Sequence, residues 1–232
     1  FVFTEDYNVY KCISNNGGVV STVKPTSDSV DIIETADGYR WKFMYEVQQA
    51  DVLKYVTTDW IPVKYLTADD STAQWSVQQA AVDGALEHIA VTAGGAGYYS
   101  CIGTAQAGST ANTIKLDAAT SSAVDDYYND MTVYITSGAG AGELKTITDY
   151  VGATRIATVS TNWTTIPTAT SVFQVMPAVA IATTTGSGAV YRVSAVTAGA
   201  ITKVTGVAKG TNYRDATATI SSGSGASCIL KP

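Results

Sequence analysis

A mainly β protein is predicted by three features of the sequence: few charges, many Thr and Val with regularly spaced Gly, and one stretch of strict two-residue alternation. Only 15 % of the 232 residues are charged, while 46 % are hydrophobic. β-branched residues suit a pleated, half-buried strand, and glycine supplies the positive φ that tight turns require. The alternation is plainest where Tyr39, Trp41, Phe43, Tyr45 and Val47 are separated by Arg40, Lys42, Met44 and Glu46. A period of two places the aromatic set on one face and the mostly charged set on the other. The expected architecture is a β-sandwich-like domain with short helices, plus a repeated small β unit interrupted by a β-meander insertion.

Along the chain, residues 1–66 form the first expected region. A strand from Phe1 to Ile13 enters a turn at Ser14-Asn15-Asn16-Gly17-Gly18, whose Asn-Gly pair suits a hairpin. Val19 to Ile33, interrupted by Pro25, is expected to be an extended surface loop, and Asp37-Gly38 a turn before the alternating strand. Gln48 to Val56 is expected as a short helix with Val52, Leu53 and Val56 as its apolar side. Residues 67–113 hold a second short helix, from about Ala73 to Val82, and the first β repeat. Asp69-Asp70-Ser71-Thr72 reads as an N-cap cluster, and Gly84 as the glycine that ends the helix.

The repeat is visible as an ungapped match of Gly84–Tyr98 with Gly199–Tyr213. Gly84/Gly199, Ala85/Ala200, Ala93/Ala208, Gly95/Gly210 and Tyr98/Tyr213 are identical, and the apolar pairs Leu86/Ile201 and Ile89/Val204 keep the register. Each copy is expected to run strand, glycine turn, Tyr and second strand, with Gly108 and Gly223 closing the two units. Residues 114–175 form the inserted meander, with strands near Met131–Thr136, Leu144–Thr148 and Arg155–Val159, and residues 176–232 the second repeat.

Composition also limits function. A formal charge of −6 and the absence of a basic stripe exclude nucleic acid as a partner, since binding to phosphate depends on clustered Lys and Arg. No apolar run approaches the roughly 20 residues of a membrane-spanning helix, so no membrane partner is expected. Cys12, Cys101 and Cys228 are odd in number, widely spaced and without a CxxC pair. They read as free thilos of a protein assembled in a reducing cytoplasm, not as zinc ligands. The chain opens at Phe1 in what already reads as strand, which suggests an internal piece of a longer chain.

No catalytic, cofactor-binding or metal residue is predicted. Gly138-Ala139-Gly140-Ala141-Gly142 is followed by the strand-like Leu144-Lys145-Thr146-Ile147, so a hairpin turn is favoured over a dinucleotide loop, which needs a helix there. Gly94-Gly95-Ala96-Gly97 lacks the Gly-Lys-Ser/Thr of a phosphate loop. The acidic pairs Glu5-Asp6, Asp69-Asp70 and Asp125-Asp126 are sequence neighbours, whereas glycoside hydrolysis needs carboxylates facing each other across a cleft. His88 has no nucleophile in a GxSxG setting beside it. The aromatic stripe Tyr39, Trp41, Phe43 and Tyr45 has strand spacing and is expected to be core or subunit interface, and the repeated Tyr98 and Tyr213 are further candidate interface residues.

The order and spacing of YNVYKCISNNGG (7–18), STVKPTS (21–27), DGYRWKFMYEV (37–47) and VTTDWIPVK (56–64) resemble the baseplate wedge subunit of contractile-tailed bacteriophages, the gene product 8 type. The likeness is most specific over Asp37–Lys64. The insert at residues 112–175 is similar to a module of many phage tail proteins. The resemblance implies a mostly β, often dimeric wedge component that bridges neighbouring baseplate and fibre-bearing proteins and carries no catalytic residues. On this reading the chain is a structural piece of the virion tail, assembled in the host bacterial cytoplasm. The alternative is a receptor- or glycan-binding tail module, suggested by the 14 Tyr and 4 Trp and the paired β units.

Overall fold

The alternating run at residues 39–47 forms the central strand of the first unit. A computed structural model describes residues 1–232, which divide into one unit of residues 1–88 and another of residues 89–232. In the first unit, β1 (Val2–Phe3), β2 (Asn8–Ser14), β3 (Ile33–Glu34) and β4 (Arg40–Glu46) make an antiparallel sheet in the order β1-β2-β4-β3. The register of β2 against β4 shifts between Val9 and Tyr10, and both of these consecutive side chains are fully buried. A bulge of this kind breaks the strict in–out alternation of a strand. It splits the core: Tyr10, Trp41 and Phe43 form one cluster, while Val9, Tyr45 and Val47 form another.

Two short helices complete this unit, α1 (Gln49–Tyr55) and α2 (Ala73–Gln79). Val77 of α2 packs into the Tyr10–Trp41–Phe43 cluster, so the layer over this part of the sheet is a helix and not a second sheet. The apolar side expected for α1 is only partly used. Val52 packs beside Tyr45, whereas Leu53 faces solvent. The acidic cluster before α2 organises its own turn: Asp69 Oδ1 accepts the Ser71 amide, and Asp70 Oδ1 accepts the Thr72 amide and hydroxyl. Thr72 is the N-cap but its side chain makes no capping bond, and the helix ends at Gln79, short of Val82.

The Asn15–Gly18 turn is a 3-10 turn and does not fold back into a hairpin. The following loop is held instead by Asp37. Its Oδ2 accepts the Ser21 hydroxyl (2.8 Å) and the amides of Thr22 (2.8 Å) and Val23 (3.0 Å), and its Oδ1 accepts the Thr35 hydroxyl. These donors, the Thr35 hydroxyl foremost, hold the Asp37 carboxyl far below the usual carboxylate range.

The second unit begins with β5 (Ala90–Ala96), which leads into β6 (Cys101–Thr104), β7 (Thr113–Lys115), β8 (Thr132–Ser137), β9 (Leu144–Val151), β10 (Ile156–Val159) and β11 (Val172–Met176). From β6 to β11 the strands make a six-stranded antiparallel sheet in the order β6-β11-β8-β9-β10-β7. Just beyond the edge strand β6, the Gln106 amide donates to the Lys115 carbonyl of the other edge strand, β7, at 2.8 Å. Ile114, Leu116, Val133, Ile135, Ile147 and Phe173 fill its fully buried interior. The three meander strands lie where the alternation placed them, and Gly138, Gly140 and Gly142 all take positive φ in the β8–β9 turn.

After the insert come β12 (Val179–Ala182), β13 (Ser187–Thr197), β14 (Ala200–Thr211), β15 (Thr217–Ile220) and β16 (Ala226–Lys231). Here the repeat takes an exchanged form. β5 pairs with β16, and its counterpart β14 pairs with β13, while β12 and β15 pair with each other. Gly95 and Gly210 share a φ of 63°. The Tyr98 hydroxyl accepts the Cys228 amide, and the Tyr213 hydroxyl accepts the Ala189 amide. A glycine lies under each ring: a Cβ on Gly225 would clash with Tyr98, and one on Gly186 with Tyr213. Each half of the repeat thus clasps the strand of the other half.

Several boundaries differ from the sequence expectation. Residues 67–88 belong with the first unit, so Gly84 and Ala85 precede β5, whereas Gly199 is in the β13–β14 turn. The structural correspondence begins at Ile89/Val204, both buried. Strand β6 belongs to the insert, which therefore spans Cys101–Met176, and the first copy resumes only at β12. Gly108 lies inside the insert and is not the counterpart of Gly223.

Candidate functional site

Most of the predicted interface aromatics are spent on the chain's own packing. Trp41, Phe43 and Tyr45 are buried in the first unit, and Tyr98 is 7 % exposed in the second. In the stripe these side chains take the core alternative, and Tyr98, expected at an interface, is buried as well. Tyr39 is half-buried, stacked on Trp41 with ring centroids 5.3 Å apart. Tyr213 is also half-buried, its ring lying against Gly186 and Gly210. The physical reason is the same throughout: a large aromatic face gains most where it is removed from water on several sides.

What is exposed is a different apolar set. Leu53 (85 %), Tyr55, Trp60 (74 %), Val63 (86 %) and Tyr65 face solvent along one stretch of the first unit. The backbone there is largely non-repetitive after α1, with Trp60 held by a turn in which the Thr57 amide donates to the Trp60 carbonyl and the Trp60 amide to the Thr57 hydroxyl. The sequence expectation places Leu53 on the inward side of α1 and assigns Trp60 no role, whereas both face solvent. The available signal was the lack of any period of two or 3.6 between Val56 and Tyr65, which denies these side chains a common inward face.

In the second unit a cleft of about 750 Å³ lies between the insert and the β12–β13 arm. Asp130, Leu144 and Thr146 come from the insert, and Ile181, Ser187 and Tyr213 from the repeat. Asp130 is the single charged residue along it.

The titratable groups are engaged elsewhere. The Arg40 guanidinium lies 2.8 Å from Nδ1 of His88, and burial followed by this charge pushes the imidazole down to about 4. Glu5 and Asp6 both pair with Lys24, and Asp125 accepts the Gly152 amide at 2.7 Å. Asp215 accepts the hydroxyls of Thr184 and Thr185 and the Thr184 amide; these donors, Thr185 first, hold its carboxyl down at about 2. The acidic pairs thus serve as loop fasteners. No three His, Cys, Asp or Glu side chains gather as a metal site. Cys101 is buried and donates to the Thr120 carbonyl, and burial pushes its thiol up, which disfavours the reactive thiolate.

No helix is long and apolar enough to cross a membrane. Comparison with protein families, with curated proteins and with solved structures gives no match for the chain.

Proposed function

We propose that this chain is a structural component of a bacteriophage tail baseplate wedge that docks neighbouring baseplate proteins during assembly and contraction. One observation carries the proposal: the solvent-facing apolar strip from Leu53 to Tyr65 overlaps the stretch, Asp37–Lys64, whose sequence resembles the wedge subunit. Large apolar side chains left exposed close together in the chain are candidates for surfaces that another protein covers. Burying one such side chain contributes about 1.5–3 kcal/mol, so a partner that covers Leu53, Trp60 and Val63 together gains enough to matter for assembly.

The rest of the molecule suits a part that must stay rigid under force. Long-range strand pairings tie β5 to β16 across the whole second unit, and the insert has its own continuous core. Cryo-electron microscopy of the intact virion tests the reading. Density for this chain among the proteins at the tail end, with the strip covered, is the expected result. Density at a distal fibre tip moves the role to receptor binding, and density on the head overturns both.

A further inference from the structure

We propose that the cleft of the second unit binds a neutral saccharide, with the Tyr213 ring as stacking platform and the Asp130 carboxylate as the main hydrogen-bond acceptor. This role goes beyond docking in the baseplate and does not depend on it. The cleft, at about 750 Å³, lies within the roughly 300–1,000 Å³ of small-ligand sites.

The lining selects the ligand class. Its single charge is the Asp130 carboxylate, and no Lys or Arg is present to attract a phosphate, sulfate or acidic sugar. The side chains of Asp130, Thr146 and Ser187 are all exposed and make no hydrogen bond within the chain, so their polar atoms are available. An ionised carboxylate only accepts hydrogen bonds, and hydroxyls both donate and accept. A carboxylate, two hydroxyls and an aromatic ring together match a sugar, which offers adjacent hydroxyl donors on its rim and a C–H face for the ring.

The platform is held in place before any ligand arrives. The Tyr213 hydroxyl accepts the Ala189 amide at 3.0 Å, and a Cβ on Gly186 or Gly210 would come within 2.7 or 2.6 Å of the residue or its ring. A ring fixed this way loses little further freedom on binding, which favours affinity. The equivalent Tyr98 has the same clasp but is buried at 7 % exposure. The two copies differ because the insert supplies Asp130 and Thr146 only to the cleft beside Tyr213.

The test is a glycan array spanning neutral hexose, N-acetylhexosamine and deoxyhexose structures together with sialylated and uronate-bearing ones. It is followed by titration of the 15N-labelled chain with the best neutral binder. The expected result is binding confined to neutral glycans, with saturable shifts at the amides of Gly186–Ala189 and Tyr213. Asp130→Asn weakens binding roughly ten-fold or more, and Tyr213→Leu abolishes it. Asp130→Asn and Thr146→Val change exposed side chains, so they keep the test decisive should Tyr213→Leu fail to fold. Silence across the neutral glycans, stronger binding of acidic ones, or unchanged affinity in Asp130→Asn overturns the assignment.

Discussion

The Tyr98 hydroxyl accepts the backbone amide of Cys228 at 3.3 Å, joining two residues 130 positions apart. The bond reaches into the β5–β16 ladder, where Cys228 lies opposite Gly94, and Gly225 leaves room for the ring beside it. Tyr98→Phe removes one hydrogen bond and is expected to cost about 1 kcal/mol. Gly225→Ala drives a methyl into the ring and is expected to cost about 1–3 kcal/mol. Denaturant unfolding of the single and double variants checks this. Because the methyl displaces the ring, Tyr98→Phe should cost less once Gly225→Ala is present; strict additivity would contradict the shared contact.

Gly186→Ala is expected to destabilise as well, since its methyl meets Tyr213 and its φ of 61° is unfavourable for an L residue. Comparable losses at Gly186 and Gly225 would establish that the two copies of the clasp are energetically equivalent. Calorimetry of both variants measures this.

Leu53→Ser and Trp60→Ser are expected to leave stability within about 0.5 kcal/mol of the parent, as changes at exposed positions usually do. The same substitutions should reduce incorporation of the protein into assembled tails. The measurement is paired: unfolding of the purified variants, and their yield in virions by complementation. A large loss of stability would mean that the strip packs internally in solution.

Two separate acid limbs are expected in stability against pH. The folded pKa of His88, about 4, is below its ordinary 6.5, so the unfolded chain binds more protons between these values. Stability therefore falls as pH drops from about 6.5 to about 4. Arg40 and Glu34 are the charges acting on this ring, Arg40 opposing protonation and Glu34 favouring it. Asp215, held down at about 2 from 3.8, contributes stability above 3.8 that is lost as pH falls toward 2. His88→Gln should flatten the first limb alone, while Asp215→Asn should reduce the second without abolishing it, because Asp37 is also held below its ordinary range, in urea titrations at stepped pH.

The insert is expected to fold on its own. Its first and last strands, β6 and β11, pair with each other (Cys101 opposite Val175), and its core is continuous. A polypeptide of residues 99–177 should give a cooperative thermal transition. A non-cooperative melt would show that the flanking strands hold the sheet together.

Much of this fold is legible in local pattern. The alternation at Tyr39–Val47 gives β4, and the glycines at 138, 140 and 142 give the β8–β9 turn, because both depend on neighbouring residues alone. The Gly95/Gly210 and Tyr98/Tyr213 matches mark the clasp without showing its partner. That β5 takes β16 and not β6 depends on pairing across more than 130 residues, which no local period encodes. Exposure is only partly legible, in the missing period between Val56 and Tyr65. Leu53 and Trp60 are as apolar as Phe43, and only the absence of a facing element leaves them in water. Tyr98 and Tyr213 share a motif, yet one is buried and the other borders a cleft, because the insert interrupts a single copy.

The exchanged pairing also sets an order of events during synthesis. β5 emerges from the ribosome long before Ala226–Lys231, its only ladder partner, has been made. Until then its amides and carbonyls form an open edge, the kind of surface that recruits strands from other chains. The insert shortens this exposure in space though not in time. Once its sheet forms, β11 returns the chain to the start of β6, where Val175 lies opposite Cys101, and the effective loop between β5 and β16 contracts. Slow translation anywhere between Ala96 and Ala226 would lengthen the interval in which the β5 edge stays open.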